Sequence, residues 1–430
     1  MLASSFVSGS APRGARAGSK TGGDARRSLA ALPPKNQIRD TNYIRQAAEV
    51  SGKYPFIRYT RNELLLGDDR PDFLSLLAEA DHRKINILHL GDSHIQADVY
   101  TGTIRTRLQE LFGNGGRGFL FPCRVAKSNN PDDYTTASTG VWTSTKCTVA
   151  APTEPLGVSG FAVRTEDSGA TVTVRFRNAA QRPQGNLLTV WAQPGAERFS
   201  PVVSLLDSAA TFVEPNMEAS LPGYWVFTLP ANVTQGFVLK VLKTHPEQNS
   251  FVLNGFTLEN ADSAGILYHA AGVNGAKIVH YLHSPLLDEQ LRNLTPDLVL
   301  LDVGVNDYYT AHSLPSYVAD SLTALIDQVQ QAAPRAAILL CSQQPNMRGK
   351  RTVGGARAYA DLIRTVAESR PRVFAYDFYA VADTPHSVMR WRQAGLMSKD
   401  GIHLTRDGYR YKGQLFTNAL LSAYRQSLGH

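Results

Sequence analysis

The chain has 430 residues, of which 43% are apolar and 19% charged. This length exceeds what one compact core usually fills, so we expect at least two folded units. The formal net charge of +7 does not indicate nucleic-acid binding, because residues 1–35 carry six basic side chains and one acidic one, which leaves only +2 for the rest. No stretch approaches the roughly 18 apolar residues that a membrane span needs, and Met1 to Val7 is too short for a signal peptide.

Residues 1–35 form a tail with its own composition. They are rich in Gly, Ser, Ala and Arg, lack apolar periodicity and run into Pro33 and Pro34. A segment of this kind cannot bury enough apolar surface to offset the entropy of ordering. The sequence therefore predicts a disordered tail.

From residue 85 onward, short apolar runs alternate with helical patterns such as those at 104–112, 317–332 and 408–426. Continuous apolar runs between helices are typical of parallel strands that are buried on both faces. Five such runs occur, at Ile85 to Leu90, Gly265 to His269, Asp297 to Val303, Ala336 to Cys341 and Arg372 to Tyr376. The sequence therefore predicts an α/β fold with a five-stranded parallel sheet.

Residues 141–260 have a different pattern. In the stretch "ATVTVRFRN", Val172, Val174 and Phe176 alternate with polar residues, which indicates a strand with one buried face. Similar short runs follow between Pro, Gly and Asn turns, so we predict an all-β sandwich inserted at a surface loop of the α/β domain. The predicted organisation is a tail (1–35), the first part of the α/β domain (36–140), the insert (141–260) and the second part (261–430).

Four polar segments follow predicted strands and lie at one edge of the sheet. This is the edge where the ligands of open parallel sheets collect. Taken singly, each has an ordinary explanation, since Asp92 or Ser93 could cap a helix and Gly and Asn are common in turns. Their joint occurrence at the same edge is hard to obtain from capping and turns alone. The four segments are Gly91-Asp92-Ser93-His94, Gly272-Val273-Asn274-Gly275, Gly304-Val305-Asn306-Asp307 and Asp400-Gly401-Ile402-His403.

These residue types fit the needs of acyl transfer. A serine hydroxyl becomes a nucleophile when an imidazole takes its proton, so His403 is the candidate base for Ser93. Asp400 lies close enough along the chain to orient that imidazole. A tetrahedral oxyanion requires fixed donors, for which the candidates are the N–H groups of Ser93 and Gly275 and the side-chain amide of Asn306.

The four segments resemble those of the SGNH (GDSL-like) superfamily of serine esterases and acylhydrolases. The resemblance covers residues 80–130 and 263–426 and implies a flavodoxin-like, three-layer α/β/α fold. In that family the named roles fall on Ser, Gly, Asn and His, which correspond here to Ser93, Gly275, Asn306 and His403, with the acid at Asp400. Gly272 is an alternative to Gly275 as oxyanion donor.

His94 stands where many members carry leucine, which resembles a branch that contains bacterial peptidoglycan O-acetylesterases. In that branch the domain is interrupted by a β-sandwich (jelly-roll-like) that is similar to a carbohydrate-binding module. The stretches "GRGFLFP" and "YHAAGVNGAKI" are also similar to members of this branch. The resemblance implies hydrolysis of acetyl esters on a carbohydrate, with peptidoglycan as a candidate substrate, and a periplasmic or extracellular location in the cell envelope.

Several alternatives stay open from the residues alone. The same triad could pass an acyl group to a sugar hydroxyl, which would make the protein an O-acyltransferase. A metal-dependent phosphoesterase is a second alternative, because several polar residues of the four segments are also plausible metal ligands. A cell-envelope protein whose insert binds carbohydrate without catalysis is a third. We predict no cofactor and no metal, and we name His94 and Gln96 as candidates for lining the cleft.

Overall fold

The computed structural model describes residues 35–67, 70–177, 185–206, 211–311, 313–384 and 386–427. The predicted disordered tail, residues 1–35, lies outside these ranges apart from Lys35, which begins the first helix. Within these ranges, none of the helices combines the length and apolar character needed to cross a membrane.

The strands are numbered in chain order. They are β1 (Leu64–Leu65), β2 (Lys84–Gly91), β3 (Asn114–Leu120), β4 (Tyr134–Thr139), β5 (Thr143–Lys146), β6 (Phe161–Thr165), β7 (Thr171–Phe176), β8 (Leu187–Ala192), β9 (Ser200–Leu205), β10 (Tyr224–Thr228), β11 (Gly236–Leu242), β12 (Phe251–Glu259), β13 (Gly265–Gly272), β14 (Leu298–Asp302), β15 (Ala337–Cys341), β16 (Met347–Arg348), β17 (Arg351–Thr352) and β18 (Val373–Tyr376).

The α-helices are numbered in the same way. They are α1 (Lys35–Ala48), α2 (Arg70–Ala78), α3 (Ser93–Gln96), α4 (Val99–Phe112), α5 (Ile278–Leu282), α6 (Leu287–Leu294), α7 (Val305–Tyr308), α8 (Tyr317–Ala332), α9 (Gly355–Ser369), α10 (Phe378–Ala382), α11 (Ser387–Gln393) and α12 (Arg406–Ser427). Short 3₁₀ helices cover Tyr59–Arg61 and Glu79–Asp81.

The five predicted parallel strands are confirmed as β2, β13, β14, β15 and β18. They pair in the order β18-β15-β14-β2-β13, and every one of these pairings is parallel. Numbered among themselves, the strands have the order 2-1-3-4-5, which is the flavodoxin-like arrangement. The short strand β1 closes the β18 edge in an antiparallel direction. The predicted α/β fold is therefore confirmed.

Both faces of the parallel sheet are covered. Along β2, Ile85 and Ile87 pack into one apolar core, whereas Leu88 and Leu90 pack into the other. Helices α2, α4 and α12 contribute to the first core, and α5, α6, α8 and α9 contribute to the second. This three-layer arrangement explains why the strands are continuously apolar in sequence.

The antiparallel strands form a sandwich that shares a sheet with the α/β part. One layer is the four-stranded sheet β4-β7-β11-β9, and the other contains β10, β8, β12, β6 and β5. The ring centroids of Phe237 and Phe256 lie 5.1 Å apart between the layers. Strand β3 pairs with β13 on one side and with β12 on the other, so the parallel sheet continues into the sandwich as one 12-stranded sheet. The boundaries at residues 140/141 and 260/261 stay predictions.

Strand β3 was not among the predicted strands, because its sequence "NGGRGFL" has the glycine content of a turn. The structure explains why glycine is required at one of these positions, Gly118. Gly118 has φ +77°, and a Cβ on it would lie 2.2 Å from the carbonyl oxygen of Tyr268 on β13. A side chain there would push the two strands apart, so glycine permits the link between the parallel sheet and the sandwich.

A buried ionic cluster lies between α12 and the parallel sheet. Lys412 is fully buried, and its Nζ donates to Gln343 Oε1 at 2.7 Å and lies 3.5 Å from Asp302 Oδ2. Gln343 in turn donates to Asp302 Oδ1, and His89 Nε2 lies 3.5 Å from Asp302 Oδ2. The Lys412 ammonium also lies 4.5 Å from the ring centroid of Tyr100. The cluster satisfies charges that would otherwise be costly to bury.

We predict that Lys412→Met lowers the free energy of unfolding by about 3–5 kcal/mol, because it leaves the buried Asp302 carboxylate without its cation. The double variant Lys412→Met/Asp302→Asn removes both charges and should recover most of the loss. Urea unfolding monitored by circular dichroism measures both values. A double variant no more stable than the single one would contradict this account of the cluster.

Candidate functional site

Three strand ends meet in register at the carboxyl edge of the sheet. Gly91 at the end of β2 lies opposite Gly272 of β13 on one side and Asp302 of β14 on the other. The segments that follow these strands therefore leave the sheet side by side. The segment of Asp400 and His403, which precedes α12, comes to the same edge, as its contacts with Ser93 require.

The turn after β2 both caps a helix and presents a hydroxyl. Asp92 is the N-cap of the short helix α3, and its Oδ1 accepts a hydrogen bond from the His94 N–H at 3.0 Å. Its carbonyl accepts further bonds from the Ile95 and Gln96 N–H groups. Ser93 is the first residue of this helix and is partly exposed. Capping by Asp92 thus fixes the backbone from which the Ser93 hydroxyl projects.

The structure brings the three predicted catalytic residues together. Ser93 Oγ lies 2.8 Å from His403 Nε2, although the two residues are 310 positions apart in the chain. His403 Nδ1 lies 2.7 Å from Asp400 Oδ2. This geometry allows the imidazole to accept the Ser93 proton while the carboxylate holds its other nitrogen. The catalytic roles of the three residues stay predictions.

Asp400 is held by its own loop. Its Oδ1 accepts hydrogen bonds from the N–H groups of Ile402 at 2.9 Å and His403 at 3.0 Å. Partial burial acts to raise the pKa of Asp400, but the His403 ring and these two N–H groups outweigh it and lower the pKa below its ordinary value. The side chain is therefore a carboxylate at neutral pH and can stabilise a positive charge on His403.

The three predicted oxyanion donors also lie at this edge. Asn306 Nδ2 donates to the Ala276 carbonyl at 2.9 Å, so the Asn306 side chain contacts the loop that contains Gly275. Among the described residues, no hydrogen-bond acceptor is found for the backbone N–H of Ser93 or of Gly275. Both N–H groups are thus free to donate to a substrate oxygen.

Gly272 and Gly275 have different surroundings. A Cβ on Gly272 would lie 2.7 Å from both the Asp92 carbonyl oxygen and the Gln96 nitrogen, so Gly272 allows β13 to pack against the Ser93 turn. A Cβ on Gly275, which has φ +85°, would have only Thr148 Cγ2 within 4 Å, at 3.9 Å. The surroundings of Gly275 are therefore open, whereas Gly272 is required for packing. The role of Gly275 as oxyanion donor stays a prediction.

Asp307, the residue after Asn306, also holds the loop that contains Gly275. Its Oδ2 accepts a hydrogen bond from the Ile278 N–H at 3.2 Å. Burial raises the pKa of this carboxyl to about 6. Two neighbouring residues, Asn306 and Asp307, therefore tie α7 to the segment 276–278 and fix the position of Gly275.

The two candidates for lining the cleft differ in exposure. His94 is only 2% exposed, its Nδ1 lies 2.8 Å from the Tyr409 hydroxyl, and its ring centroid lies 5.3 Å from that of His403. His94 thus contacts the predicted base from the protein interior. Gln96 is partly exposed and donates to the Ser128 hydroxyl. A role of either residue in lining the cleft stays a prediction.

Sequence reasoning missed two contributors to this edge. Tyr409 on α12 bonds to His94, and Thr148 from the predicted insert faces Gly275. A Cβ on Gly160 would lie 2.6 Å from Val273, which shows how closely the 147–160 segment packs on the loop that contains Gly275. No local sequence pattern indicates these contacts, because they join residues that are far apart in the chain.

We looked for metal-ligand groups at this edge in the part of the chain that the structure describes. The one group of three His, Cys, Asp or Glu side chains close enough to share an ion there is His89, Asp302 and Cys341. All three are buried, and the ammonium of Lys412 already lies beside Asp302. The phosphoesterase alternative would use a different set of ligands, which consists of Asp92, His94, Asn306, Asp307 and His403.

Comparison with known proteins gives a family-model match over part of the chain and a shared fold. A model of the GDSL-like lipase/acylhydrolase family matches residues 253–411, a range that includes Gly275, Asn306, Asp400 and His403 but begins after Ser93. No curated protein matches the chain.

Solved structures of esterases are similar to this chain. A peptidoglycan O-acetylesterase superposes with a TM-score of 0.68 and 21% identity, covering 84% of this chain and 98% of its own, which shows that the two share a fold. A family two carbohydrate esterase from Cellvibrio japonicus has a TM-score of 0.29 and 11% identity, with 68% and 99% covered. A family 3 carbohydrate esterase from Clostridium thermocellum has a TM-score of 0.29 and 19% identity, with 39% and 76% covered.

We predict that Asp92→Asn stabilises the protein increasingly as the pH rises. Burial raises the pKa of Asp92 to about 8. The folded state therefore holds a proton that the unfolded state releases near pH 4, so the wild type loses stability as the pH rises from there to about 8. Asparagine can keep the cap and does not titrate.

Thermal unfolding between pH 5 and pH 9 checks this prediction. The melting temperature of Asp92→Asn relative to wild type should rise with pH and level off above pH 8. Asp407→Asn, at a side chain that is 78% exposed, is the matched control and should show a constant difference. A constant difference for Asp92→Asn as well would contradict the buried, protonated state of Asp92.

Proposed function

We propose that this ester-hydrolysing enzyme, whose chain carries a GDSL-like lipase/acylhydrolase domain, is a serine esterase that removes acetyl groups from a carbohydrate. The observation that carries the proposal is the relay at the sheet edge, in which Ser93 Oγ lies 2.8 Å from His403 Nε2 and His403 Nδ1 lies 2.7 Å from Asp400 Oδ2. We assign Ser93 as nucleophile, His403 as base and Asp400 as the residue that orients His403.

In the proposed reaction, His403 Nε2 takes the Ser93 proton as Ser93 Oγ bonds to the acyl carbon. The negative charge on the former carbonyl oxygen is stabilised by the N–H groups of Ser93 and Gly275 and by the Asn306 amide. Collapse of this intermediate breaks the bond to the sugar oxygen, which receives the proton from His403. Water then attacks the acyl-enzyme with His403 as base and releases the carboxylic acid.

O-Acetylated peptidoglycan is our first candidate substrate. The partly exposed Ser93 and the exposed Asp400 leave the relay accessible from solvent, which suits an ester on a large polymer. The similar solved structure is that of a peptidoglycan O-acetylesterase, and it supports this choice of substrate to test. With this substrate the enzyme would act in the cell envelope, in the periplasm or outside the cell.

We predict that Ser93→Ala lowers kcat/KM by at least about 1000-fold, because among the described residues Ser93 supplies the one hydroxyl that is hydrogen-bonded to His403 Nε2. The measurement is acetate release from p-nitrophenyl acetate and from O-acetylated peptidoglycan, with and without EDTA. EDTA should have no effect, since the proposed steps use no metal. Ser51→Ala, at an exposed serine away from the site, is the control and should match wild type.

Each outcome separates one alternative. Activity that EDTA abolishes would favour metal-dependent hydrolysis, and full activity of Ser93→Ala would refute the serine mechanism. Acetate release from p-nitrophenyl acetate alone would keep the esterase and reject peptidoglycan as substrate. Acetyl groups recovered on a sugar hydroxyl rather than as acetate would identify an O-acyltransferase. A wild type with neither activity would favour the non-catalytic carbohydrate-binding alternative.

We predict that Asn306→Asp lowers kcat by about 100–1000-fold with a smaller change in KM, because the variant keeps the shape of the side chain but loses its N–H donors. Steady-state kinetics with p-nitrophenyl acetate measure the two parameters separately. Asn274→Ala, at an exposed position in the same loop as Gly275, should change kcat by less than about threefold. Equal losses in the two variants would indicate a general disturbance of the loop instead.

A further inference from the structure

The loop that carries Asp400 and His403 is shaped by its own hydrogen bonds. The His403 carbonyl accepts one from the Ser398 N–H at 2.8 Å, and the Ser398 carbonyl accepts one from the Gly401 N–H at 3.2 Å. These bonds set the shape of the turn but not its distance from Ser93. Asp400 is exposed and His403 is partly exposed, so the core does not enclose the loop. Contacts from outside the loop must therefore place His403 beside Ser93.

Two hydrogen bonds join this loop to the segment that follows β15. The Met347 N–H donates to the Gly401 carbonyl at 2.9 Å, and Gln344 Nε2 donates to the Ile402 carbonyl at 2.6 Å. The two accepting carbonyls belong to the two residues directly before His403. A movement of the His403 backbone away from the sheet would therefore break both bonds.

Gln344 is a buried polar residue whose side-chain amide is only half satisfied. It is 0% exposed, and among the described residues its Oε1 has no hydrogen-bond donor. An unsatisfied buried group costs about 1–3 kcal/mol, so an apolar side chain of the same size would suit the core better. Retention of the amide at this cost is expected where its N–H group serves a site.

The parallel sheet places this amide. Gln344 lies three residues after Cys341, the last residue of β15, and β15 pairs with β14 on one side and with β18 on the other. A fully buried side chain has already lost its rotamer freedom on folding, so no further entropy is lost when it bonds to the loop. The bond to the Ile402 carbonyl thus links the position of His403 to that of the sheet.

A hydrogen bond at the surface of the loop differs from this one. Arg392 Nη2 donates to the Lys399 carbonyl at 3.0 Å, but the bond is exposed and its acceptor lies four residues before His403. Water competes for an exposed hydrogen bond, so this contact restrains the loop weakly. Gln344 bonds from the interior to the residue adjacent to His403, which makes it the stronger restraint.

The segment of Gln344 also contacts the helix that carries Asn306. The Tyr309 hydroxyl donates to the Met347 carbonyl at 3.3 Å, and Tyr309 directly follows α7. Residues 344–347 therefore bond both to the loop of the predicted base and to the end of the helix that carries a predicted oxyanion donor.

We propose that Gln344 is a positioning residue that holds His403 at hydrogen-bonding distance from Ser93. It touches neither the substrate nor the reacting atoms and acts through the Ile402 carbonyl. This role rests on the proposed serine mechanism, because it concerns the activation of Ser93 by His403. A misplacement of about 1 Å at a reacting group can cost about 100-fold in rate, so one lost restraint has a measurable effect.

Gln344→Met tests the proposal, because methionine has a similar length and volume but no N–H to donate. We expect kcat with p-nitrophenyl acetate to fall about 10–100-fold and KM to stay within about threefold. The rate constant for labelling of Ser93 by diisopropyl fluorophosphate, followed by mass spectrometry, should fall by a similar factor. This rate constant reports on folded molecules, since unfolding lowers the extent of labelling instead. Gln344→Leu, a second variant without a donor, should show the same loss.

Gln193→Met is the matched control. Gln193 is 7% exposed, and its Nε2 donates to the Pro155 carbonyl at 3.1 Å in the sandwich, so the same substitution removes the same kind of bond away from the loop of His403. Its kcat and its labelling rate should stay within about twofold of wild type.

The outcomes separate the two proposals. Labelling of Ser93 in both Gln344 variants at the wild-type rate would overturn the positioning role and leave the serine mechanism intact. Equal losses in Gln344→Met and Gln193→Met would also overturn it, because they would reflect the loss of any buried amide. A wild type that is not labelled at Ser93 would overturn the serine mechanism and the positioning role together.

Discussion

The register of β13, β2 and β14 is the constraint on which the candidate active site depends. Gly91 lies opposite Gly272 and Asp302, so the three chains leave the sheet at one level and the Ser93 turn lies beside the segments of Gly275 and Asn306. A shift of one residue would invert the faces of a strand and move its loop by about 3.3 Å, which exceeds the tolerance of a hydrogen-bonded relay. Hydrogen bonds of the Asn306 and Asp307 side chains then hold the loop of Gly275 in position.

The second constraint is the glycine-rich strand β3, which joins two architectures into one sheet. The parallel sheet supplies the edge that holds the relay, and the sandwich continues from its other side through β12. Because the sandwich is hydrogen-bonded to the sheet rather than tethered by a linker, its residues have fixed positions relative to the α/β part. The position of Thr148 beside Gly275 is a consequence of this shared sheet.

The region behind the relay is unusually polar for a protein interior. Asp92, His94 and Lys412 are all buried close to the strand ends, and burial raises the pKa of Asp92 and lowers that of His94. Side chains of this kind are costly in a core unless they are paired, and here the pairing comes from helix capping, from Tyr409 and from Asp302. Departures from an apolar core are expected where a protein gives up stability for a site.

The sequence by itself determined the α/β class, the five parallel strands and the four polar segments, because buried strands, turn residues and acid–imidazole spacing leave local patterns. It did not reveal β3, whose glycines resemble a turn until the close approach to Tyr268 is known. It also could not show the different surroundings of Gly272 and Gly275, nor find the contacts of Tyr409 and Thr148. Only the tertiary structure decided these, because each depends on contacts between segments distant in the chain, and no local pattern of residues records such contacts.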